Sequence, residues 1–327
     1  MDRKGTQLQI LIAASGLLVL IFDSELALEG AGSGIDLCIK TVIPSLFPFF
    51  VLSMLLTDSL SGRFSGILQK LACFLGVPES GMAVLIPAIL GGYPVGAKCV
   101  GDLYQKKQIN RRDAERLLAF CSNAGPSFLF GMVSGFFPDK KASWLLWFIH
   151  ILSAVLTALI LPANNMEPVR QAEKPTENTP ILLSAAKAMV LVCCWVILFR
   201  TVIAFLQEWF LWMLPGWAQV FFMGMIELTN GCCELLLITD ISLRFILCSC
   251  MLSFGGICVL LQTVSVTQGL SVGWYIRGKL IQTAFSFLLS SAIFAKQGLF
   301  IAVWIPALMI ILRKIQKRSR NPRSLPV

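Results

Sequence analysis

Trp144-Leu-Leu-Trp-Phe-Ile-His-Ile-Leu-Ser-Ala-Val-Leu-Thr-Ala-Leu-Ile-Leu161 is an eighteen-residue run without a charged side chain. As a helix rising 1.5 Å per residue it covers about 27 Å, close to the ~30 Å of a bilayer's hydrocarbon core. Leu8 to Phe22 and Leu280 to Phe294 are further apolar runs, so the pattern recurs from one end of the chain to the other. Composition points the same way. Of 327 residues, 56 % are hydrophobic and 14 % charged, and the mean hydropathy is +0.77. That leaves too few charged side chains to coat a water-soluble globule. The sequence therefore predicts an all-α polytopic membrane protein whose main solvent is the lipid bilayer.

A net charge of +9 would suggest nucleic acid in a soluble protein. Here the positive residues gather in short loops and in the tail after Leu312, where they act as topology signals, and no nucleic-acid partner is expected. Arg3 and Lys4 precede the first apolar run as in a signal peptide. Asp23-Ser-Glu-Leu-Ala-Leu-Glu29 leads to no obvious processed domain, however, and the run reads as a helix. The eleven cysteines lie mostly in apolar runs, as in Cys193-Cys194, Cys232-Cys233 and Cys248-x-Cys250, without paired C-x-x-C spacing, and read as small buried hydrophobes.

The polar stretch from Ala163 to Pro180 divides the chain into halves. The expected organisation is a leading helix and acidic external loop over 1–39, a first repeat over 40–162, a linker over 163–183, a second repeat over 184–295, and a last helix with a basic cytoplasmic tail over 296–327. Each repeat has a span, a mixed segment, an apolar stretch with a broken end, and further spans. Spans are expected at Lys40–Thr57, Ala114–Phe136, Ala142–Leu161, Ser184–Leu206, Leu243–Val266, Arg277–Phe294 and Leu299–Leu312, besides the first run. Residue matches accompany the pattern. Ile67-Leu-Gln-Lys70 resembles Phe205-Leu-Gln-Glu208, and Leu117-Leu-Ala-Phe-Cys-Ser-Asn-Ala-Gly125 resembles Leu247-Cys-Ser-Cys-Met-Leu-Ser-Phe-Gly255.

Loop charge decides how the broken stretches lie. If both crossed the membrane, the Lys98 to Arg116 loop would face the side opposite Arg63 and Lys70, against the positive-inside bias. If each enters and returns as a hairpin, Arg63 to Lys70, Lys98 to Arg116 and the tail Arg313 to Arg323 all lie inside. Asp23, Glu25, Glu29 and Asp36 then lie outside. Both termini become cytoplasmic and the second repeat is inverted relative to the first. The expectation is about eight transmembrane helices plus two re-entrant hairpins in two inverted repeats, an architecture of secondary transporters.

Non-helical backbone at membrane depth is tolerated where it lines a cavity, so the breaks are the candidate solute site. Gly91, Gly92, Tyr93, Pro94 and Gly96 form the first: flexible glycines, a proline without an N–H, and a ring able to stack on a planar solute. Lys98 just beyond can meet an anion, or can snorkel to the interface. Asn123, Gly125 and Pro126 repeat the logic inside a span, with interhelical packing as the alternative role. Glu227, Thr229, Asn230 and Gly231 form the counterpart in the second half. A carboxylate at membrane depth costs ~3 kcal/mol to insert, which makes Glu227 a functional candidate for a cation, a coupling proton or the solute. Ser253, Gly255, Gly256 and Gln262 offer a small polar face to complete the pocket, and Arg200 is a candidate partner for Glu227 or for a carboxylate solute.

Enzyme signatures are missing, and no cofactor or metal is expected. The sole histidine, His150, has no carboxylate or cysteine at ligand spacing, and there is no G-x-x-x-x-G-K-[ST] phosphate loop. The expected partners are a small organic anion, the bilayer and a coupling ion, proton or sodium. A homo-oligomer stays open.

Gly92-Tyr-Pro-Val-Gly-Ala-Lys98, Asp102-Leu-Tyr104, Ala114-Glu-Arg-Leu-Leu-Ala-Phe-Cys-Ser-Asn-Ala-Gly-Pro126 and Glu227-Leu-Thr-Asn-Gly231 together resemble the YlbJ (SpoVV) sporulation integral membrane proteins. Those are grouped with nucleoside-recognition gate-domain proteins and are distantly similar to concentrative nucleoside transporters. The resemblance runs from about Lys40 to Arg313. It implies a spore-forming bacterium, the outer forespore membrane or the cell membrane, and delivery of dipicolinic acid towards the developing spore by alternating access. The alternatives are a nucleoside-like or other organic-anion carrier of the same fold, and a non-transporting protein of spore-envelope assembly.

Overall fold

The computed structural model describes residues 3–60, 70, 72, 74–78, 81–162 and 180–294. Arg63, the linker over 163–179, the last expected span and the basic tail lie outside the described residues. Within them the chain is predominantly helical and no strand occurs. The helices are α1 (Arg3–Phe22), α2 (Ser24–Leu37), α3 (Ile43–Leu60), α4 (Met82–Leu90), α5 (Val95–Gln105), α6 (Arg111–Cys121) and α7 (Pro126–Gly131). They continue as α8 (Lys141–Ile160), α9 (Ile181–Trp209), α10 (Gly216–Ile226), α11 (Leu228–Cys233), α12 (Ile241–Phe254), α13 (Gly256–Val266) and α14 (Gly273–Phe294).

Four helical stretches among the described residues are long and apolar enough to cross a bilayer: Ser24–Leu56, Lys141–Ile160, Ile181–Trp209 and Ile241–Val266. Large apolar side chains such as Trp144, Phe148, Val190 and Leu198 are exposed on them, as expected of surfaces solvated by lipid. This is an all-α membrane protein. The expected span Ala114–Phe136 is instead divided between α6 and the six-residue α7, and α14 carries buried Lys279, Gln282, Ser286 and Ser290.

The acidic stretch expected as an external loop is helical. Asp23 caps α2 by accepting the Leu26 N–H at 3.2 Å, and α2 runs through a π-helical turn, Cys38–Val42, into α3. Small residues are the reason it packs. A Cβ on Gly30 would lie 2.9 Å from the Thr201 Cα, and one on Gly34 2.9 Å from the Ile197 Cα. α2 therefore lies antiparallel against α9 with the backbones nearly touching, as small-xxx-small faces allow in lipid. Replacing both Gly30 and Gly34 by leucine is expected to separate these helices and to lower the melting temperature in detergent by about 10 °C.

Polar contacts sort the loops into two ends. At one, Gln105 Nε2 donates to Gln268 O at 2.9 Å and the Ser271 N–H to Glu115 Oε1 at 2.9 Å. Arg116 there reaches the carbonyls of Leu75, Gly76, Ala158 and Pro162. Arg116 thus departs from its expected place as a loop charge: it is 2 % exposed. At the other end, which α8 reaches from Ala158 back to Lys141, Arg244 binds the carbonyls of Phe136 and Ile238. A Cβ on Gly216 would lie 2.9 Å from Leu237 O. The hairpin of α4 and α5 starts and finishes at the first end, and that of α10 and α11 at the second.

Candidate functional site

Each hairpin turns on a helix break, and two more breaks meet them. The first is Gly91 to Pro94, with Gly92 at φ +76° and a cis Tyr93–Pro94 bond. Ser122 to Gly125 is the second, ended by Pro126 at the first turn of α7, where its missing N–H costs nothing. Glu227 is the third, in extended backbone between α10 and α11. Gly255 and Gly256, both at φ +84°, are the fourth. That left-handed conformation suits glycine because it has no Cβ to clash. The two stretches matched in the sequence, Leu117–Gly125 and Leu247–Gly255, both finish in a break.

The breaks converge. A Cβ on Gly125 would lie 2.9 Å from the Gly92 Cα, one on Gly256 3.0 Å from Gly224 O, and one on Gly255 3.3 Å from the Tyr93 ring. Beside this junction lies a small cavity of ≈ 50 Å³. Tyr93, Gly125, Glu227, Thr229 and Gln262 line it, together with Thr41, Ser45, Phe128 and the aliphatic residues Val42, Leu46, Val192, Val196, Leu228 and Val259. Among these described lining residues Glu227 is the one carboxylate, and none is a lysine, arginine or histidine.

Behind the cavity wall, Glu227 Oε2 accepts the Asn230 N–H at 2.8 Å and the Asn230 amide at 2.7 Å. The carboxylate thereby caps α11, where the helix dipole favours negative charge. Arg200 does not meet Glu227 directly. Its guanidinium donates to Asn230 Oδ1 at 2.7 Å and to Ser33 Oγ at 2.9 Å, so Asn230 joins the two.

A second network backs the first two breaks. Lys279 Nζ donates to Tyr93 Oη at 3.0 Å, to Gln282 Oε1 at 2.7 Å and to Ser122 O, while Tyr93 Oη donates to Leu252 O at 3.0 Å. Gln282 Nε2 donates to Asn123 Oδ1 at 3.0 Å, and Asn123 Nδ2 donates to Phe120 O at 2.8 Å. His150 Nε2 accepts the Ala124 N–H at 2.9 Å. That acceptor role assigns the neutral imidazole's proton to Nδ1, facing Ser253 Oγ at 3.2 Å. Hydroxyls then carry the chain from Ser253 through Ser286 and Ser153 to His150 O.

Of the sequence-predicted residues, Tyr93, Gly125, Glu227, Thr229 and Gln262 reach the cavity, while Asn123, Asn230 and Ser253 stand behind it. Gly91, Gly92, Pro94, Gly96, Pro126, Gly231, Gly255 and Gly256 shape backbone. Lys98 is elsewhere: it pairs with Asp102 one turn on along α5 and does not line the cavity. The cation at the junction is Lys279, which the sequence reading passed over. Its signal was legible in retrospect, because Lys279, Gln282, Ser286 and Ser290 fall at spacings of three, four and four on one face of an apolar helix. Among the described residues no group of His, Cys, Asp or Glu is placed to hold a metal ion.

The chain is 34 % identical over 163 residues to the sporulation integral membrane protein YlbJ of Bacillus subtilis (strain 168). The match takes in 48 % of this chain and spans 40 % of the relative's length. No family model matches the chain, and no solved structure does.

Proposed function

We propose that this protein is a sporulation membrane carrier rather than an enzyme, and that it moves dipicolinic acid by alternating access across the outer forespore membrane. The observation that carries the carrier reading is the meeting of four helix breaks beside one cavity. Two hairpins based at opposite ends of the bundle support an inverted-repeat mechanism, in which one repeat rocks against the other. The likeness to a sporulation integral membrane protein supports the setting, and the family resemblance implies the cargo. On this reading the end that carries Arg116 faces the cytoplasm of the mother cell, as do both termini.

Tyr93 and Phe128 suit a planar ring, while Thr41, Thr229 and Gln262 suit its polar edge. With Glu227 the one carboxylate and no lysine or arginine among the described lining residues, dipicolinate enters as the acid or with a neutralising cation. The same charge pattern favours a second reading, an uncharged nucleoside-like solute. Uptake of labelled dipicolinate and of uridine into proteoliposomes separates the two. The expected result is accumulation of dipicolinate above that in empty liposomes, reduced about tenfold in Glu227→Ala, as for one lost charge-assisted hydrogen bond. Uptake of neither solute by well-folded protein would count against a carrier. Cysteine labelling that places residues 58–80 and 98–113 on opposite sides would sink the proposed topology.

A further inference from the structure

Lys279 is 1 % exposed and stands where the first two breaks meet α14. An ammonium has three N–H donors, and all three end on neutral oxygens: the Tyr93 hydroxyl at 3.0 Å, the Gln282 amide at 2.7 Å and the Ser122 backbone carbonyl. No carboxylate lies within ion-pair distance of it among the described residues. The faces of Tyr93 and Tyr275 lie 5.0 Å and 5.9 Å from Nζ, which adds cation–π attraction.

A positive charge held by a freed main-chain carbonyl, a hydroxyl and an amide oxygen has the surroundings of a bound alkali cation, a hard ion that takes oxygen ligands. We propose that the Lys279 ammonium is a tethered cation filling a monovalent-cation site built by Ser122, Tyr93 and Gln282, so that no free metal ion binds there. The tether explains why a lysine is tolerated so deep: its charge replaces an ion that would otherwise have to be recruited to keep these oxygens from facing one another.

A second observation points to the same place. The hydroxyls of Ser122, Thr263 and Tyr275 are buried close together, that of Tyr275 facing the other two, and none of them makes a hydrogen bond of good geometry. Buried hydroxyls are rarely left so. Ser122 belongs to the ammonium's own shell, and Tyr275 precedes Lys279 by one helical turn. The ammonium has only three donors to give, whereas an alkali ion takes more ligands. These spare oxygens are the ones it would recruit once the lysine stem is removed.

The test uses the purified full chain in detergent, with sodium, potassium and choline chloride as probes at equal ionic strength. It needs no substrate, so its outcome is independent of the carrier reading. Wild-type protein is expected to melt at one temperature in all three salts. Lys279→Ala is expected to melt lower in choline and to recover saturably in sodium or potassium, by about 5 °C. Adding Gln282→Leu to that variant should abolish the recovery. Lys279→Met, which fills the space without charge or room for an ion, should be destabilised and indifferent to salt. The proposal is overturned if sodium stabilises wild type as much as Lys279→Ala, or if Lys279→Met is as stable as wild type. It is overturned too if Lys279→Ala gains nothing from either alkali ion, or is recovered folded in no salt. Recovery of folded Lys279→Ala in sodium alone would support it.

Discussion

Gly96→Ala is expected to leave no folded protein in the membrane. A Cβ at this position would lie 1.7 Å from the Cys121 carbonyl oxygen and 3.2 Å from the Ala88 Cα. Both neighbours are backbone, so no rotamer change relieves the clash. The same turn of α6 is gripped from its other side, where a Cβ on Gly278 of α14 would lie 2.2 Å from Ala119 O. Pushing α5 away would move the first break from the second, and with it the Tyr93 hydroxyl that Lys279 binds. Overpacking a closed core costs about 1–3 kcal/mol where side chains can adjust, and more where backbone must move. Gly131→Ala is the control, since nothing lies within 4 Å of a Cβ there. In fluorescence-detected size exclusion of membrane extracts, Gly131→Ala should elute as wild type and Gly96→Ala should give no monodisperse peak. A normal Gly96→Ala peak would mean that α5 does not cross α6 at this turn.

Proline and glycine made the breaks at Gly91 to Gly96 and at Pro126 legible, because a missing N–H or Cβ acts on local backbone whatever surrounds it. Glu227 was legible for a different reason: a carboxylate in an apolar run is expensive, and it turned out to line the cavity. What escaped was set by packing at long range. Lys279 lies two residues beyond Arg277 near the start of α14, where a cation ordinarily reaches water. Contacts with residues some 160 to 190 positions away close over it. Lys98 looked better placed in sequence, yet Asp102 at one-turn spacing takes it. The acidic stretch before Lys40 looked like a loop because its charges stood out, whereas Gly30 and Gly34 on one face allow it to pack as a helix against α9. The Leu243–Val266 span hides its break for a similar reason. Two adjacent glycines are tolerated in a helix, and it is the approach of Gly224 and Tyr93 that gives their positive φ a use.

Arg116→Leu is expected to unfold the end of the bundle on which the first hairpin stands. The guanidinium donates to Gly76 O at 2.7 Å, Leu75 O at 2.8 Å, Ala158 O at 2.9 Å and Pro162 O at 3.0 Å, with the Phe120 ring 5.3 Å from its central carbon. Three chain segments, the entry to α4, the end of α8 and α6 itself, are thus fastened through one planar group. Leucine would leave these carbonyls without their donor in a buried site, where each hydrogen bond to a charged group is worth about 1.5–3 kcal/mol. Losses shared through relaxation bring the net to about 3–5 kcal/mol, a fall of about 10 °C in melting temperature. Lysine should rescue little, because a point charge with three donors cannot reproduce a rigid fork that spans all four oxygens. The outcome separates a topology signal from a structural clamp. If Arg116 acted only as a positive charge facing the cytoplasm, Arg116→Lys would melt as wild type. If it clamps the hairpin base, Arg116→Lys should fall close to Arg116→Leu, and protease cleavage near 75–78 should become faster in both.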